Sequence, residues 1–514
     1  MLVNRQPAAH AAFDVAVIGG GINGAGIARD LAGRGLRVLL CERDDLAAHT
    51  SSASTKLIHG GLRYLEHFEF ALVRAALGER ERLLRAAPHL VQPQRFVLPH
   101  PPHGARPRWL VAAGLRLYDA LAHGSSLPRS AALRLHDDAL APRYDHAHAY
   151  YDARTDDARL VVSCAIDAAA RGAVVLPRTA CVAAARGRAQ WRLTLRDARH
   201  EWTVDAHALV NACGPWAGRF AREVLGRERA APLRLVRGSH IVVPRRLGGD
   251  DAYLLQGSDG RVLFAIPFEH DFTLLGTTEV DVGDDALEQG CSDAEVDYLC
   301  RELALHLRAP PQPSEVIWRY AGVRPLHAPR RGSAGAASRD FALELDTHGA
   351  PLLEVWGGKL TTFRLLAEHA ADRVCAALRI DARRWTAAAT LPGGDLERWI
   401  GPCARADLAL TRFIDALQAR WPWLPPELAR RYARAYGTRA ERVLRDARLR
   451  PARCLADLGA EVRPGLYAAE VAYLRREEWA RTPQDLLWRR SKLGLSAACD
   501  ARAPKQAPGR PKPA

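Results

Sequence analysis

A chain of 514 residues with 48% hydrophobic content has enough sequence for two or three domains around a large core, and its formal net charge is +15. No run approaches the roughly 18–20 consecutive apolar residues that span a bilayer, and residues 1–12 lack the apolar core of a signal peptide. Ten cysteines spread from Cys41 to Cys499 without a CxxC pair argue against a disulfide framework or a zinc site, so reduced thiols and no metal are expected.

Along the chain, residues 13–18 read as a buried strand. Gly19, Gly21 and Gly24, with Asn23 among them, form a turn, and residues 22–31 form the helix that follows. A second strand over 36–41 ends in Glu42, where a carboxylate can accept ribose hydroxyls. This strand–turn–helix–strand unit predicts a dinucleotide whose pyrophosphate lies at the helix N-terminus. The next segment, Thr50-Ser51-Ser52-Ala53-Ser54-Thr55-Lys56-Leu57-Ile58-His59-Gly60-Gly61-Leu62-Arg63-Tyr64, suits a loop wrapped around a polar ligand. A helix is predicted over 65–87, stopping at Pro88. Residues 92–129 mix Pro, His, Arg and aromatics, among them Arg106, Arg108, Trp109, Arg116 and Tyr118, and read either as a membrane- or subunit-facing surface or as an ordinary loop and helix.

Helix resumes near residue 160, with strands over 173–176 and 191–195 and a buried strand from Ala208 running into the Gly214-Pro215-Trp216 turn. Short apolar runs over 233–280 predict an antiparallel sheet, the wall of a substrate domain. An apolar strand then enters Gly357-Gly358-Lys359-Leu360-Thr361-Thr362, with a helix over 360–369. The pattern from about 395 to 498 is helical, and residues 501–514 read as a disordered tail.

The basic residues are 68 arginines against five lysines, so Lys56 and Lys359, both inside Gly- or Ser-rich motifs, stand out as places where a compact ammonium is kept. Positive charge favours an anionic metabolite or membrane surface. The arginines are dispersed and no nucleic-acid motif is present, so nucleic acid is not an expected partner.

Taken together, Gly19 to Gly26, the segment from Thr50 to Glu66, Gly238-Ser239-His240-Ile241-Val242-Val243-Pro244, Gly322-Val323-Arg324-Pro325 and Gly357 to Thr362 resemble the FAD-dependent respiratory glycerol-3-phosphate dehydrogenases of aerobic bacteria. Two departures are Cys213, where the family usually has Thr, and the lack of the calcium loop of the mitochondrial relatives. The resemblance implies an α/β fold: an FAD-binding Rossmann-like domain (about 10–70, 155–232 and 330–388), an antiparallel-sheet substrate domain (about 71–154 and 233–329) and a C-terminal helical domain (389–500). The implied reaction is oxidation of sn-glycerol 3-phosphate to dihydroxyacetone phosphate, with electrons passed to a membrane quinone. The enzyme would then sit peripherally on the cytoplasmic face of the inner membrane, with a homodimer as a further possible partner.

Three tasks follow for the site. His59 or His240 takes the hydroxyl proton. Arg63 and Arg324 hold the phosphate, with Tyr64 lining the site. Lys359 and the amides at Leu360 and Thr361 stabilise charge on the reduced flavin. Ser52, Thr55 and Lys56 are expected near the diphosphate or ring edge, and Gly61, Gly214 and Gly358 at the cofactor. A glycerol-3-phosphate oxidase that reduces oxygen, and an amine or amino-acid oxidase on the same scaffold, are the alternatives.

Overall fold

The computed structural model describes residues 11–101, 107–135, 138–227, 233–327, 341–403, 405–445 and 452–500. The predicted tail over 501–514 and Arg106 lie outside these residues. Strand Ala12–Ile18 lies at the centre of a sheet because it is apolar on both faces, with Val15, Ala16 and Val17 fully enclosed. The order across that sheet is Ala342–Asp346, Leu352–Trp356, Glu201–Asn211, Ala12–Ile18, Val38–Glu42 and Val174–Pro177, parallel throughout except for the first strand. Val15, Val17, Val38 and Leu40 pack against helices Ile22–Gly33, Asp157–Ala170 and Phe363–Ala377, while the alternate residues Ala16, Leu39 and Leu209 meet Leu193 and Leu195 of an antiparallel ribbon on the other face. The chain leaves Ala12–Ile18 and Glu201–Asn211 in different directions, so a crevice opens at their carboxyl ends, where ligands of such sheets bind.

The second sheet has the order Val280–Val282, Leu233–Pro244, Phe272–Gly276, Val262–Phe268, Ala252–Gln256, Val91–Pro99, His146–Thr155 and Leu57–Ile58, with Trp318–His327 on the other edge of Leu233–Pro244. Its neighbours are antiparallel except Ala252–Gln256 with Val91–Pro99, so the antiparallel wall expected over 233–280 continues through residues read as irregular. Only part of the stretch over 92–129 is loop and helix: Val91–Pro99 is an interior strand, and Arg108–Leu121 is the helix. The helix expected over 65–87 is interrupted at Phe68, whose φ of 59° separates a short turn, Leu62–His67, from the helix Phe70–Ala86.

The C-terminal helices, chiefly Ala406–Arg420, Pro426–Tyr436 and Ala468–Glu477, enclose their own core around Phe413, Leu417, Tyr432 and Tyr473. Buried ion pairs fasten them to the body. Arg159 is bound to Glu478, and Asp45 takes Arg489 at 2.7 Å and Arg490 at 2.9 Å. Severing one partner of such a pair leaves an uncompensated buried charge, so these contacts fix the domain in place.

Candidate active site

The crevice is a cavity of about 760 Å³ between the two sheets. At its mouth, Gly19 has a φ of +114°, and a Cβ there would lie 2.5 Å from the Ala212 carbonyl. Gly24 is not among the lining residues; a Cβ on it would lie 1.8 Å from the Gly19 carbonyl oxygen, so its smallness lets helix Ile22–Gly33 begin against the strand. Gly21 caps that helix without a side-chain acceptor and lines the cavity, as does Asn23, whose Nδ2 donates to the Gly357 carbonyl at 3.2 Å. Glu42 closes the second strand, accepting from the Gly20 amide at 2.7 Å and the Asp44 amide at 2.9 Å, while burial pushes its carboxyl above the usual range. Asp44 and His49 approach Glu42 with ligand atoms within 4.8 Å of one another, but Glu42 is held by two amides and Asp44 by His49, and no metal is assigned to them.

The Ser-rich segment forms the next wall, though not with all the expected residues. Ser52 and Lys56 do not line the cavity. The Ser52 hydroxyl donates to the His49 carbonyl at 3.1 Å. The Lys56 ammonium is buried against Asp157, at 2.9 and 3.0 Å, and donates to the Ser52 carbonyl at 3.0 Å. Asp157, in the first turn of its helix, has no exposed surface and requires a cation, which is why this lysine turns inward. Ser51 takes the cavity position instead, its Oγ accepting from the Ile22 amide at 3.0 Å.

Beyond it, His59, Gly61, Arg63 and Tyr64 all line the cavity. Their turn is anchored from behind: the Gly60 amide donates to the Tyr118 hydroxyl at 2.9 Å, Tyr118 donates to Asp152 at 2.8 Å, and Arg80 donates to the same carboxylate at 2.8 Å.

The antiparallel sheet supplies the opposite wall through glycines whose role the sequence pattern did not reveal. His240 lies over Tyr320, ring centroids 5.1 Å apart and nearly parallel, with Nε2 3.0 Å from the Thr55 hydroxyl. A Cβ on Gly276 would fall 2.3 Å from that imidazole. Arg324 reaches across Gly238 to Thr277 Oγ1 at 3.3 Å and Glu279 at 3.4 Å, and a Cβ on Gly238 would lie 2.8 Å from its Nη2.

Residues 357–362 form a loop and turn in which Gly357 and Gly358 take φ of +76° and +98°, and the helix starts at Phe363 rather than at 360, after Thr362 in a non-helical cap conformation. Gly358, Lys359, Leu360 and Thr361 line the cavity, as does Gly214 across from them. The Lys359 ammonium sits 4.1 Å over the Tyr64 ring. It is buried with no hydrogen-bond acceptor among the described residues, and Trp216 Nε1 and Asn23 Oδ1 are likewise unmatched. Unmatched polar atoms around a cavity lined by Gly19 and Gly21 fit a large polar ligand with an anionic middle.

Burial holds the His59 imidazole below its ordinary pKa, helped by Lys359 and Arg324 and opposed by Asp152. His240 is held well below by burial, Arg324 and Lys56. Both rings are therefore neutral at neutral pH, among three cations.

Residues 14–364 match the FAD dependent oxidoreductase family, and residues 385–507 match the C-terminal domain of alpha-glycerophosphate oxidase. The glycerol-3-phosphate dehydrogenase of Pseudomonas aeruginosa is 47% identical over 487 residues, covering 94% of this chain and 92% of its own length. The aerobic glycerol-3-phosphate dehydrogenase of Escherichia coli is 43% identical over 94% of both chains, and the D-erythritol 1-phosphate dehydrogenase of Brucella abortus is 43% identical over 93% of this chain and 94% of its own. Among solved structures, the glycerol-3-phosphate dehydrogenase of Bacillus halodurans complexed with FAD superposes with a TM-score of 0.72 at 27% identity, covering 96% of this chain and 88% of that one. The chain belongs to the FAD-dependent oxidoreductases, in the group that includes the bacterial glycerol-3-phosphate dehydrogenases.

Proposed function

We propose that the protein oxidises the secondary alcohol of sn-glycerol 3-phosphate to dihydroxyacetone phosphate and passes the electrons to a membrane quinone. The observation that carries this reading is the convergence of Arg63, Arg324 and Lys359 with a neutral His59 in one cavity whose mouth is the glycine-rich turn. In this reading the helix amides behind Gly21 and the Glu42 carboxylate would hold the cofactor's diphosphate and ribose, and Lys359 would face the flavin. FAD, when bound, supplies the acceptor for the hydride of the carbinol carbon.

The protein's own groups do the rest. Arg324 and Arg63 take the phosphate, and the bound phosphate sets the carbinol carbon in place. His59 accepts the hydroxyl proton, because burial, helped by Lys359 and Arg324, keeps its ring neutral, and an entering dianion offsets those cations and favours the protonated ring. His240 is the lesser candidate for the base, since its Nε2 is engaged by Thr55 and its ring is held against Tyr320. Lys359 contributes positive charge where the reduced cofactor gains negative charge.

No helix among the described residues is long and apolar enough to cross a membrane. Phe68 and Trp109 are 78% and 71% exposed, and Phe70, Leu110 and Leu117 are exposed as well. With Arg108 and Arg116 beside them, they form the surface we assign to an anionic bilayer. Two assays test the proposal. Turnover of glycerol 3-phosphate should exceed that of D-erythritol 1-phosphate and sarcosine, with a ubiquinone analogue reduced and little peroxide formed under air. Stoichiometric peroxide would instead identify an oxidase. Trp109→Ser should reduce co-sedimentation with phosphatidylglycerol vesicles, and unchanged co-sedimentation would remove this surface from the assignment.

A further inference from the structure

A second cavity, of about 490 Å³, lies where helix Pro426–Tyr436 of the C-terminal domain meets the antiparallel sheet. Phe268, Phe272, Leu428 and Leu493 supply apolar wall. Four of its lining cations are already neutralised: Lys56 by Asp157, Lys492 by Asp156, Arg431 by Glu470 and Arg490 by Asp45.

Three arginines remain. Arg434 meets Glu269 only at 3.5 Å, and Arg430 Nη1 lies 2.8 Å from His270 Nε2, with no carboxylate partner among the described residues. The Arg154 guanidinium makes no hydrogen bond or ion pair among the described residues and, half-buried, opens into the cavity. The lining acids Asp271 and Glu427 are exposed at the rim. A half-buried guanidinium without a matched acceptor has lost part of its hydration; burial and the like charge of Arg434 disfavour its charged form, and the carboxylates of Glu269 and Asp250 offset this only in part. The sequence tolerates this at an interface otherwise closed by matched ion pairs, which is what a preorganised anion subsite requires.

We propose that this cavity is a second, non-catalytic site for a dianionic phosphate group, held by Arg154, Arg430 and Arg434 with the apolar wall against the remainder of a phosphorylated metabolite. Its place between the domains, with Thr55 lining both this cavity and the catalytic one, makes it a site from which a phosphorylated metabolite can act on the enzyme without competing for the substrate pocket.

The test is calorimetric titration of the full-length, FAD-loaded Arg324→Ala variant, in which phosphate binding at the catalytic cavity is weakened, with inorganic phosphate and with glycerol 2-phosphate. One saturable binding event is expected in this background, weakened about tenfold or more by adding Arg154→Gln. Tighter binding of the ester identifies a metabolite as the ligand, and equal binding identifies free phosphate. Arg154→Gln alone should leave kcat/KM for glycerol 3-phosphate within about twofold in phosphate-free buffer, as expected for a change outside the catalytic cavity. Should Arg154→Gln fail to fold with flavin, Arg430→Gln, nearer solvent, carries the same expectation. The absence of a saturable event in Arg324→Ala, or an event unchanged by the cavity substitutions, would overturn the proposal.

Discussion

Gly238→Ala isolates the link between sheet geometry and substrate binding. The residue is in a strand without positive φ, so alanine fits the backbone. Its new Cβ, however, would stand 2.8 Å from Arg324 Nη2 and 2.8 Å from Thr277 Oγ1. Restoring ordinary contact requires the guanidinium to retreat by roughly half to one ångström, enough to lose one charge-assisted hydrogen bond to a phosphate, a loss of about 1.5 kcal/mol. That corresponds to about a tenfold fall in kcat/KM for glycerol 3-phosphate, expressed mainly in KM, in a protein that retains FAD. Arg324→Ala removes the whole interaction and should cost about a hundredfold or more. In that background Gly238→Ala has no guanidinium left to displace, so the double variant should behave like Arg324→Ala alone. Dye-linked initial rates on the four proteins decide the matter. Full additivity, or an unaffected Gly238→Ala, would refute a role for this glycine in placing Arg324.

Lys56→Met should leave Asp157 buried without its cation and cost about 3–5 kcal/mol of stability, seen as a lower Tm, while the folded fraction keeps its flavin; flavin loss at unchanged Tm would reinstate a direct cofactor contact. Because His59 must be neutral to accept a proton, kcat/KM should fall as pH drops through its depressed pKa, below 6.5. The acid limb of kcat should lie at higher pH, because bound phosphate favours the imidazolium, and His59→Asn should abolish both limbs; an identical limb in that variant would exclude His59 as the base. Burial pushes His89 down to about 3, so in acid the unfolded chain takes up the proton first. Stability should therefore decline as pH falls below about 6.5 and go on declining toward pH 3, and His89→Gln should flatten part of that slope. A urea midpoint whose pH dependence is the same in the variant would contradict this.

The dinucleotide unit could be read from sequence because its constraints are local. A buried parallel strand has a continuous apolar run, Gly24 is dictated by backbone approach to Gly19 five residues earlier, and Gly19 needs its own left-handed turn with φ of +114° even before Ala212 packs against it. The strands Val91–Pro99 and His146–Thr155 were not legible for the opposite reason. Pro93 and Pro99 interrupt the first, while in the second Asp152 serves a charge network with Arg80 and Tyr118, far off in the chain, and Arg154 opens into the second cavity. Lys56 stood out as one of few lysines, but its partner is 101 residues away, so its role is set by tertiary packing rather than by the motif around it. Gly238 stands out in the sequence only as the first residue of a motif and Gly276 not at all; the folded sheet reveals that their missing side chains make room for Arg324 and His240.

The most direct measurement is anaerobic titration of the FAD-loaded protein, followed by the visible absorbance of the oxidised flavin. Glycerol 3-phosphate is expected to bleach the band fully while glycerol at the same concentration leaves it unchanged, because the cavity's cations select the phosphate. Equal bleaching by glycerol, or a protein that holds FAD but is not reduced by glycerol 3-phosphate, would contradict a cationic pocket built to present a phosphoester to the flavin.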